Sequence, residues 1–299
     1  MILNNIIESI GNTPIINLSK LTESNIYAKA EFLNPGGSIK DRIGKFMIEQ
    51  AERDGVLRKG MTIMEPTSGN TGIGIALVGV QKGYKVKIVM PENMSEERKR
   101  IIKSFGAELI LTPKEESVEG ALNEVKRQIQ ANDDIFVPNQ FSNINNPLIH
   151  YNTTAVEIFK DMNEDVDVFV SGLGSGGTLQ GIGRYLKEKN PNCMVVAVEP
   201  KGVSALKGHS AGIHKIQGIG DGFIPDVLDA SMMDKIIEVS DEDAISISRQ
   251  LAKVCGCLVG ISAGANVWAS MNIGKQYPDK KIVTILPDRA ERYFSEGLL

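Results

Sequence analysis

The stretch TIMEPTSGNTGIGIALVGVQKGYKVKIVM, residues 62–90, decides the fold class. Thr62–Glu65 reads as a strand that ends at Pro66, which has no N–H to continue a ladder. The polar loop Thr67-Ser68-Gly69-Asn70-Thr71-Gly72 follows, then an apolar helical segment to Lys82, then the β-branched strand Val86–Met90. A strand, a helix and a second strand in roughly thirty residues make a parallel crossover unit.

The alternation continues outward from that unit. Ser95 reads as the N-cap of a helix with Glu96 and Glu97 in its first turn, ending near Gly106. A strand over 108–111, a helix over 117–130 and a strand over 135–137 come next. The second half repeats the pattern: a helix near 151–162, a strand over 166–170, a glycine-rich loop, a helix over 179–189 and a strand over 194–198. Between Pro200 and Ser240 the period is lost, and so long an irregular stretch in a compact domain is usually functional. Ser240-Asp241-Glu242-Asp243 opens another helix, and 281–286 is a last strand. The expected architecture is α/β, with two lobes and a cleft between them.

Composition narrows the function. The 299 residues carry 33 Lys+Arg against 37 Asp+Glu, a net charge of −4, with 5% aromatics. Nucleic acid is an improbable partner for a chain without a basic surface or stacking aromatics. The first residues lack the pattern of an export leader, and the most apolar run, 73–80, is too short to span a bilayer. Cys193, Cys255 and Cys257 form neither a disulfide framework nor a C-x-x-C motif, and with three scattered histidines they offer no metal-ligand spacing. A cytoplasmic protein without membrane, metal or nucleic acid is expected.

Two loops lie where an α/β sheet places ligands, at the carboxyl ends of strands. Gly172-Leu173-Gly174-Ser175-Gly176-Gly177 satisfies G-x-G-x-x-G, and Glu199 lies 199 − 177 = 22 residues further on, where a ribose-binding acid belongs in a dinucleotide site. Glycines followed by a helix N-terminus and Thr178 suit any phosphate, including that of a smaller cofactor. The other loop, Thr67–Gly72, concentrates hydroxyls, an amide and backbone donors at a helix start, which suits a small carboxylate. Upstream, Asn34-Pro35-Gly36-Gly37-Ser38-Ile39-Lys40-Asp41-Arg42 places Lys40 at another helix start. There the helix dipole disfavours a cation and, with Arg42 nearby, favours the neutral, nucleophilic amine.

On these residues the chain resembles the cysteine synthase (O-acetylserine sulfhydrylase) family of pyridoxal-phosphate (PLP) enzymes over nearly its whole length. The matching motifs, in order, are Ile10–Pro14, Asn34–Arg42, Thr67–Gly72, Gly174–Thr178, Ile216–Gly220, Gly260–Gly264 and Glu291–Tyr293. The dehydrogenase reading explains neither Lys40 nor the T-S-G-N-T loop. The resemblance implies the tryptophan synthase β-like fold, PLP fold type II: two three-layer α/β lobes with mostly parallel sheets and the active site in the cleft. A smaller mobile lobe, 36–146, would carry the carboxylate loop, and a larger lobe, 1–35 with 147–299, the phosphate loop.

It also implies roles. Lys40 would hold PLP and later remove the substrate Cα proton. Asn70 would bond the ring hydroxyl and Ser262 the pyridine nitrogen, while Gly174, Ser175, Gly176, Gly177 and Thr178 would hold the phosphate. Thr67, Ser68, Asn70, Thr71 and Gln140 would hold the substrate carboxylate. The activity implied is β-replacement through an aminoacrylate, O-acetyl-L-serine plus sulfide giving L-cysteine plus acetate. Asp221 departs from the family's usual small residue. A carboxylate there would repel hydrosulfide, attract a second amino acid or act as a base. It raises an alternative in which L-cysteine is the donor, sulfide leaves, and cysteine, homocysteine or water is the acceptor. Arg289 is a further departure, and Arg occurs in this stretch in the B-type sulfhydrylases. A catalytically silent binding module is disfavoured by Lys40, Asn70 and Ser262. A homodimer is implied, with serine acetyltransferase as a candidate partner that no residue of this chain decides.

Overall fold

Short β-branched runs form the strands, and the longer segments between them, most of them amphipathic, form the helices. The computed structural model describes residues 2–67 and 69–296. It begins with β1 (Ile15–Asn17) and β2 (Ile26–Lys29), an antiparallel pair, followed by α1 (Lys40–Arg53), which buries Ile43, Met47, Ile48 and Ala51 on one face. Strands and helices then alternate: β3 (Thr62–Pro66), α2 (Asn70–Gln81), β4 (Lys85–Pro91), α3 (Glu96–Ser104), β5 (Glu108–Thr112), α4 (Ser117–Ala131) and β6 (Ile135–Phe136). The four strands of this run form a parallel sheet in the order β5-β4-β3-β6. Ser95 caps α3 as expected, its hydroxyl accepting the Arg98 N–H at 3.4 Å.

The second run contains α5 (Asn145–Ile149), a π turn over His150–Thr154, α6 (Ala155–Asp161), β7 (Val168–Gly172), α7 (Gly177–Lys189) and β8 (Met194–Pro200). It ends with β9 (Lys235–Val239), α8 (Asp241–Cys255), α9 (Ile261–Gln276) and β10 (Ile282–Ile285). Its sheet, order β1-β2-β10-β7-β8-β9, is parallel apart from the β1–β2 pair.

The chain divides into two compact units, one of residues up to Ile10 with Asn34–Asn145, the other of Gly11–Leu33 with the chain from Asn146 on. The first ten residues therefore group with the four-stranded unit, whereas the sequence reading gave them to the larger lobe. The short helical turn Ile6–Ser9 packs on α2, and Lys45 Nζ donates to the Ile7 carbonyl at 3.3 Å. The motif Ile10–Pro14 turns through Gly11 and Asn12, both at positive φ. The Thr13 hydroxyl then donates to the buried Glu31 carboxylate at 2.6 Å.

Three features depart from the expected element pattern. β9 lies inside the stretch expected to be loop with short elements, and is a full sheet strand paired along β8 from Lys235 to Val239. The helix expected near 151–162 begins at Asn145 and passes through the π turn, against which Gly181 packs so closely that a Cβ would strike the Pro147 carbonyl. α9 has small and apolar residues on every side, so it lacks the polar face that marks a helix in sequence; it is an interior helix.

α2 is also buried almost throughout, and it meets α1 backbone to backbone. A Cβ on Gly44 would lie 2.7 Å from the Gly74 carbonyl carbon, and one on Gly74 would lie 2.6 Å from the Lys40 carbonyl oxygen. Neither contact can relax by side-chain rotation. Gly74→Ala should lower the stability of the fold by about 1–3 kcal/mol through overpacking, read as a lower urea midpoint; an unchanged midpoint would mean that the helices separate freely.

Candidate active site

In the four-stranded unit, Lys40 is the first residue of α1. Its N–H donates to the buried Ser38 hydroxyl at 3.2 Å. Beside it the fully buried Asp41 accepts the Gly36 N–H at 2.6 Å, and a Cβ on Gly36 would collide with that carboxyl group. Asp41 thus fixes the turn that presents Lys40 and supplies an anion where the helix dipole favours one.

The Gly74 contact brings Lys40 against the helix whose first turn contains Asn70 and Thr71. Thr67 continues the β3–β4 ladder, its N–H donating to the Val89 carbonyl at 3.0 Å, and its hydroxyl accepts the Gly69 N–H at 3.2 Å. Gly69 is the N-cap of α2, a Cβ there would meet nothing within 4 Å, and among the described residues no side chain caps this helix. Ser68 lies outside the described residues. Thr71 donates its hydroxyl proton to Gln140 Oε1 at 2.6 Å, both side chains being buried. The Gln140 amide is thereby oriented, with its oxygen toward Thr71 and its nitrogen away. The structure therefore groups Lys40, Thr67, Asn70, Thr71 and Gln140 in one unit.

A residue that the sequence reading passed over underlies Gln140. Glu65, near the end of β3, is 1% exposed and accepts the Asn139 N–H at 2.9 Å and the Gln140 N–H at 3.3 Å. Burial pushes its carboxyl up to about 7, against the pull of those two donors. The signal is present in the sequence as a lone acid that follows the apolar pair Ile63-Met64 in a strand ending at Pro66.

In the six-stranded unit the glycine loop joins β7 to α7. Gly176, in the left-handed region at φ 80°, is the N-cap of α7, and among the described residues no side chain caps that helix. The remaining glycines are there for close packing. A Cβ on Gly174 would strike the Gly218 carbonyl, and one on Gly177 would strike the Asn146 amide. Asn146 Nδ2 also donates to the Ser175 hydroxyl at 3.0 Å, and Thr178 is half-buried in the first turn. Glu199, which fitted a ribose-binding acid by spacing, is committed elsewhere: it accepts the Ser204 hydroxyl at 2.5 Å and the Ala205 N–H at 2.9 Å.

Asp221 is exposed, on a turn whose Gly218, Gly220 and Gly222 all have positive φ. The Gly220 N–H donates to the Leu173 carbonyl at 3.0 Å, so this turn is tied to the glycine loop. Ser262 is buried in the first turn of α9. One turn later Asn266 lies beside Gly172, where the glycine loop begins. The Gly260 N–H donates to the Asp288 carbonyl at 3.0 Å, and Tyr293 donates to the Asp288 carboxylate, which together set the start of α9. Arg289 Nε donates to the Phe32 carbonyl at 2.9 Å, a structural tie within this unit.

These groups fit PLP in chemistry. A helix N-terminus rich in backbone donors matches a phosphate dianion. Ser262 offers a neutral hydroxyl, Asn70 an amide, and Lys40 a primary amine. Among the described residues no group of three His, Cys, Asp or Glu is placed to hold a metal, and no helix is long and apolar enough to cross a membrane.

The family model described as pyridoxal-phosphate dependent enzyme matches residues 6–288. A cysteine synthase of Staphylococcus aureus is 45% identical over 99% of this chain and 97% of its own length. Among solved structures, cysteine synthase from Entamoeba histolytica has a TM-score of 0.96 at 42% identity, covering 100% of this chain and 91% of that one. A hydrogen sulfide-producing enzyme from Fusobacterium nucleatum has a TM-score of 0.93 at 44% identity, covering 98% of this chain and 100% of that one.

Thr71→Val keeps the side-chain shape and removes the hydroxyl proton that Gln140 Oε1 receives. A loss of about 1–3 kcal/mol is expected for depriving a buried acceptor of its donor, measured by equilibrium urea unfolding; a neutral result would mean that the pair is not formed in solution.

Proposed function

Because this chain belongs to the cysteine synthase family of pyridoxal-phosphate-dependent enzymes, we propose that it converts O-acetyl-L-serine and sulfide to L-cysteine and acetate with the residues described above. It is a PLP-dependent β-replacement enzyme acting on small amino acids. The observation that supports the assignment of residues is the close approach of Gly74 to the Lys40 carbonyl, which ties the backbone of Lys40 to the helix bearing the carboxylate loop.

Lys40 Nζ would hold the cofactor covalently, Asn70 would bond its ring hydroxyl, and Ser262 would bond its pyridine nitrogen. Gly174, Ser175, Gly176, Gly177 and Thr178 hold the phosphate at the N-terminus of α7. Bound PLP supplies an electron sink that stabilises negative charge developing at the substrate Cα. Thr67, Asn70, Thr71 and Gln140 hold the substrate carboxylate at the N-terminus of α2, with Ser68 assigned from the sequence alone. The carboxylate anchors the substrate so that its Cα–H faces Lys40 Nζ, which, once the substrate amine has displaced it from the cofactor, is a free amine and takes that proton. The Cβ–O bond breaks and acetate carries away its electron pair. Hydrosulfide then forms the Cβ–S bond, and Lys40 returns a proton to Cα. Ser262 offers a neutral hydroxyl where a carboxylate would stabilise a protonated pyridine nitrogen; the nitrogen would stay unprotonated, which would keep charge at Cα and favour prompt expulsion of acetate.

A second reading takes L-cysteine as donor, with sulfide leaving and an amino-acid thiol or water as acceptor. It is supported by the exposed carboxylate of Asp221 on a turn tied to the phosphate loop, and by similarity to the Fusobacterium nucleatum enzyme. A homodimer and a cytoplasmic setting accompany both readings. Cys193, Cys255 and Cys257 are unpaired thiols, which suits a reducing compartment.

The test is to incubate the PLP-loaded enzyme with O-acetyl-L-serine plus sulfide, and separately with L-cysteine alone, reading sulfide and product mass together. The proposal expects cysteine and acetate from the first mixture and little sulfide from the second. Rapid sulfide with lanthionine or serine from cysteine alone would establish the second reading, and Asp221→Ala should then lose the amino-acid acceptor preferentially.

A further inference from the structure

Strand β3 ends beside a turn that its own ladder cannot reach. β3 and β6 pair only at Thr62 with Ile135 and Ile63 with Phe136. Continuing that register puts Pro138, which has no N–H, across from Glu65. The Glu65 carboxylate takes the place of the missing ladder by accepting the next two main-chain donors, Asn139 and Gln140. The turn beyond is closed on itself. Asn139 sits at φ 53°, its carbonyl accepts the Asn143 N–H at 3.0 Å, and Asn143 Nδ2 donates to the Pro138 carbonyl at 2.8 Å. Out of this turn comes Gln140, whose Oε1 receives the Thr71 hydroxyl.

We propose that Glu65 is a positioning residue for substrate binding: ionised, it clamps the Asn139–Gln140 turn and so sets the Gln140 amide that faces the substrate carboxylate. The inference rests on the reading of Thr67, Asn70, Thr71 and Gln140 as the carboxylate set. An ionised carboxylate accepts both N–H groups, one on each oxygen. A protonated one keeps a single good acceptor and turns a hydroxyl oxygen toward the other N–H, so the clamp loosens on protonation.

The titration falls near neutrality. Burial is the leading cause of the raised pKa, about 7, and the two main-chain donors oppose it. The elements packed on β3 are β4, β6, α2 and α4. α2, β6 and the turn over 137–145 contain no ionisable side chain. On β4, Lys87 pairs with Glu108 at 3.5 Å and Lys85 is exposed; on α4, Glu124 pairs with Arg127 at 2.7 Å, leaving Glu119 and Lys126. None of these charges contributes to the shift at Glu65. The carboxylate is therefore half ionised near pH 7 and almost fully ionised one unit above it.

The experiment uses the PLP-loaded enzyme and propanoate, a carboxylate with no amine to titrate in this range, with affinity read by calorimetry. If only the ionised clamp is competent, the apparent Kd scales with the inverse of the ionised fraction and is about tenfold weaker at about pH 6 than at about pH 8. Glu65→Gln should remove that pH dependence, and in turnover of O-acetyl-L-serine should raise KM severalfold while kcat stays within about twofold. Should the variant fail to fold, the wild-type profile alone decides. A flat wild-type profile, or the same profile in Glu65→Gln, overturns the proposal while the carboxylate reading stands. Tighter binding at the lower pH overturns it too, because repulsion from Glu65 would then outweigh positioning. No propanoate binding at either pH overturns the carboxylate reading itself, and the proposal with it.

Discussion

The close approach of α1 and α2 at Gly44 and Gly74 is the constraint on which the candidate site depends. Glycine at both positions lets two backbones touch, and the atom on the other side of Gly74 is the carbonyl of Lys40. The backbone of Lys40, at the start of one helix, is thereby held at a fixed height against the first turn of the other. Ordinary helix packing, with side chains interleaved, would hold the axes about 8–10 Å apart and leave that height to rotamer choice. Asp41 completes the arrangement by bonding Gly36, so the turn before Lys40 is as fixed as the helix after it.

A similar economy of backbone contact runs through the other unit. The glycines of the loop after β7 face the Gly218 carbonyl, the Asn146 amide and Ile219, and those contacts leave the N-terminus of α7 without a side-chain cap among the described residues. A packing rule and an anion-binding rule act on the same few residues, so G-x-G-x-x-G alone does not identify a dinucleotide site. What separates the readings is the fate of Glu199, whose carboxylate is bonded to the turn over 204–206.

Much of this was legible in the sequence. Strand ends, polar loops and helix starts were readable at residues 62–90 because Pro66 and the run of glycines and hydroxyls punctuate a clear change of period. Lys40, Thr71 and the loop after β7 were readable because their chemistry is unusual for their positions. β9 was not, because it follows a long stretch without period, and α9 was not, because an interior helix has no polar face to mark it. Glu65 reads in sequence as one more residue of a short strand. Its meaning is tertiary, since it depends on the Asn139 and Gln140 N–H groups arriving at its carboxylate from a turn 74 and 75 residues away.

The central claim is that Lys40 is the lysine that holds PLP. Borohydride reduction of the purified holoenzyme, followed by proteolysis and mass analysis, tests it directly. The account predicts the reduced cofactor on the peptide containing Lys40 and on no other lysine. An adduct on a different lysine, or cofactor released entirely free, would contradict it.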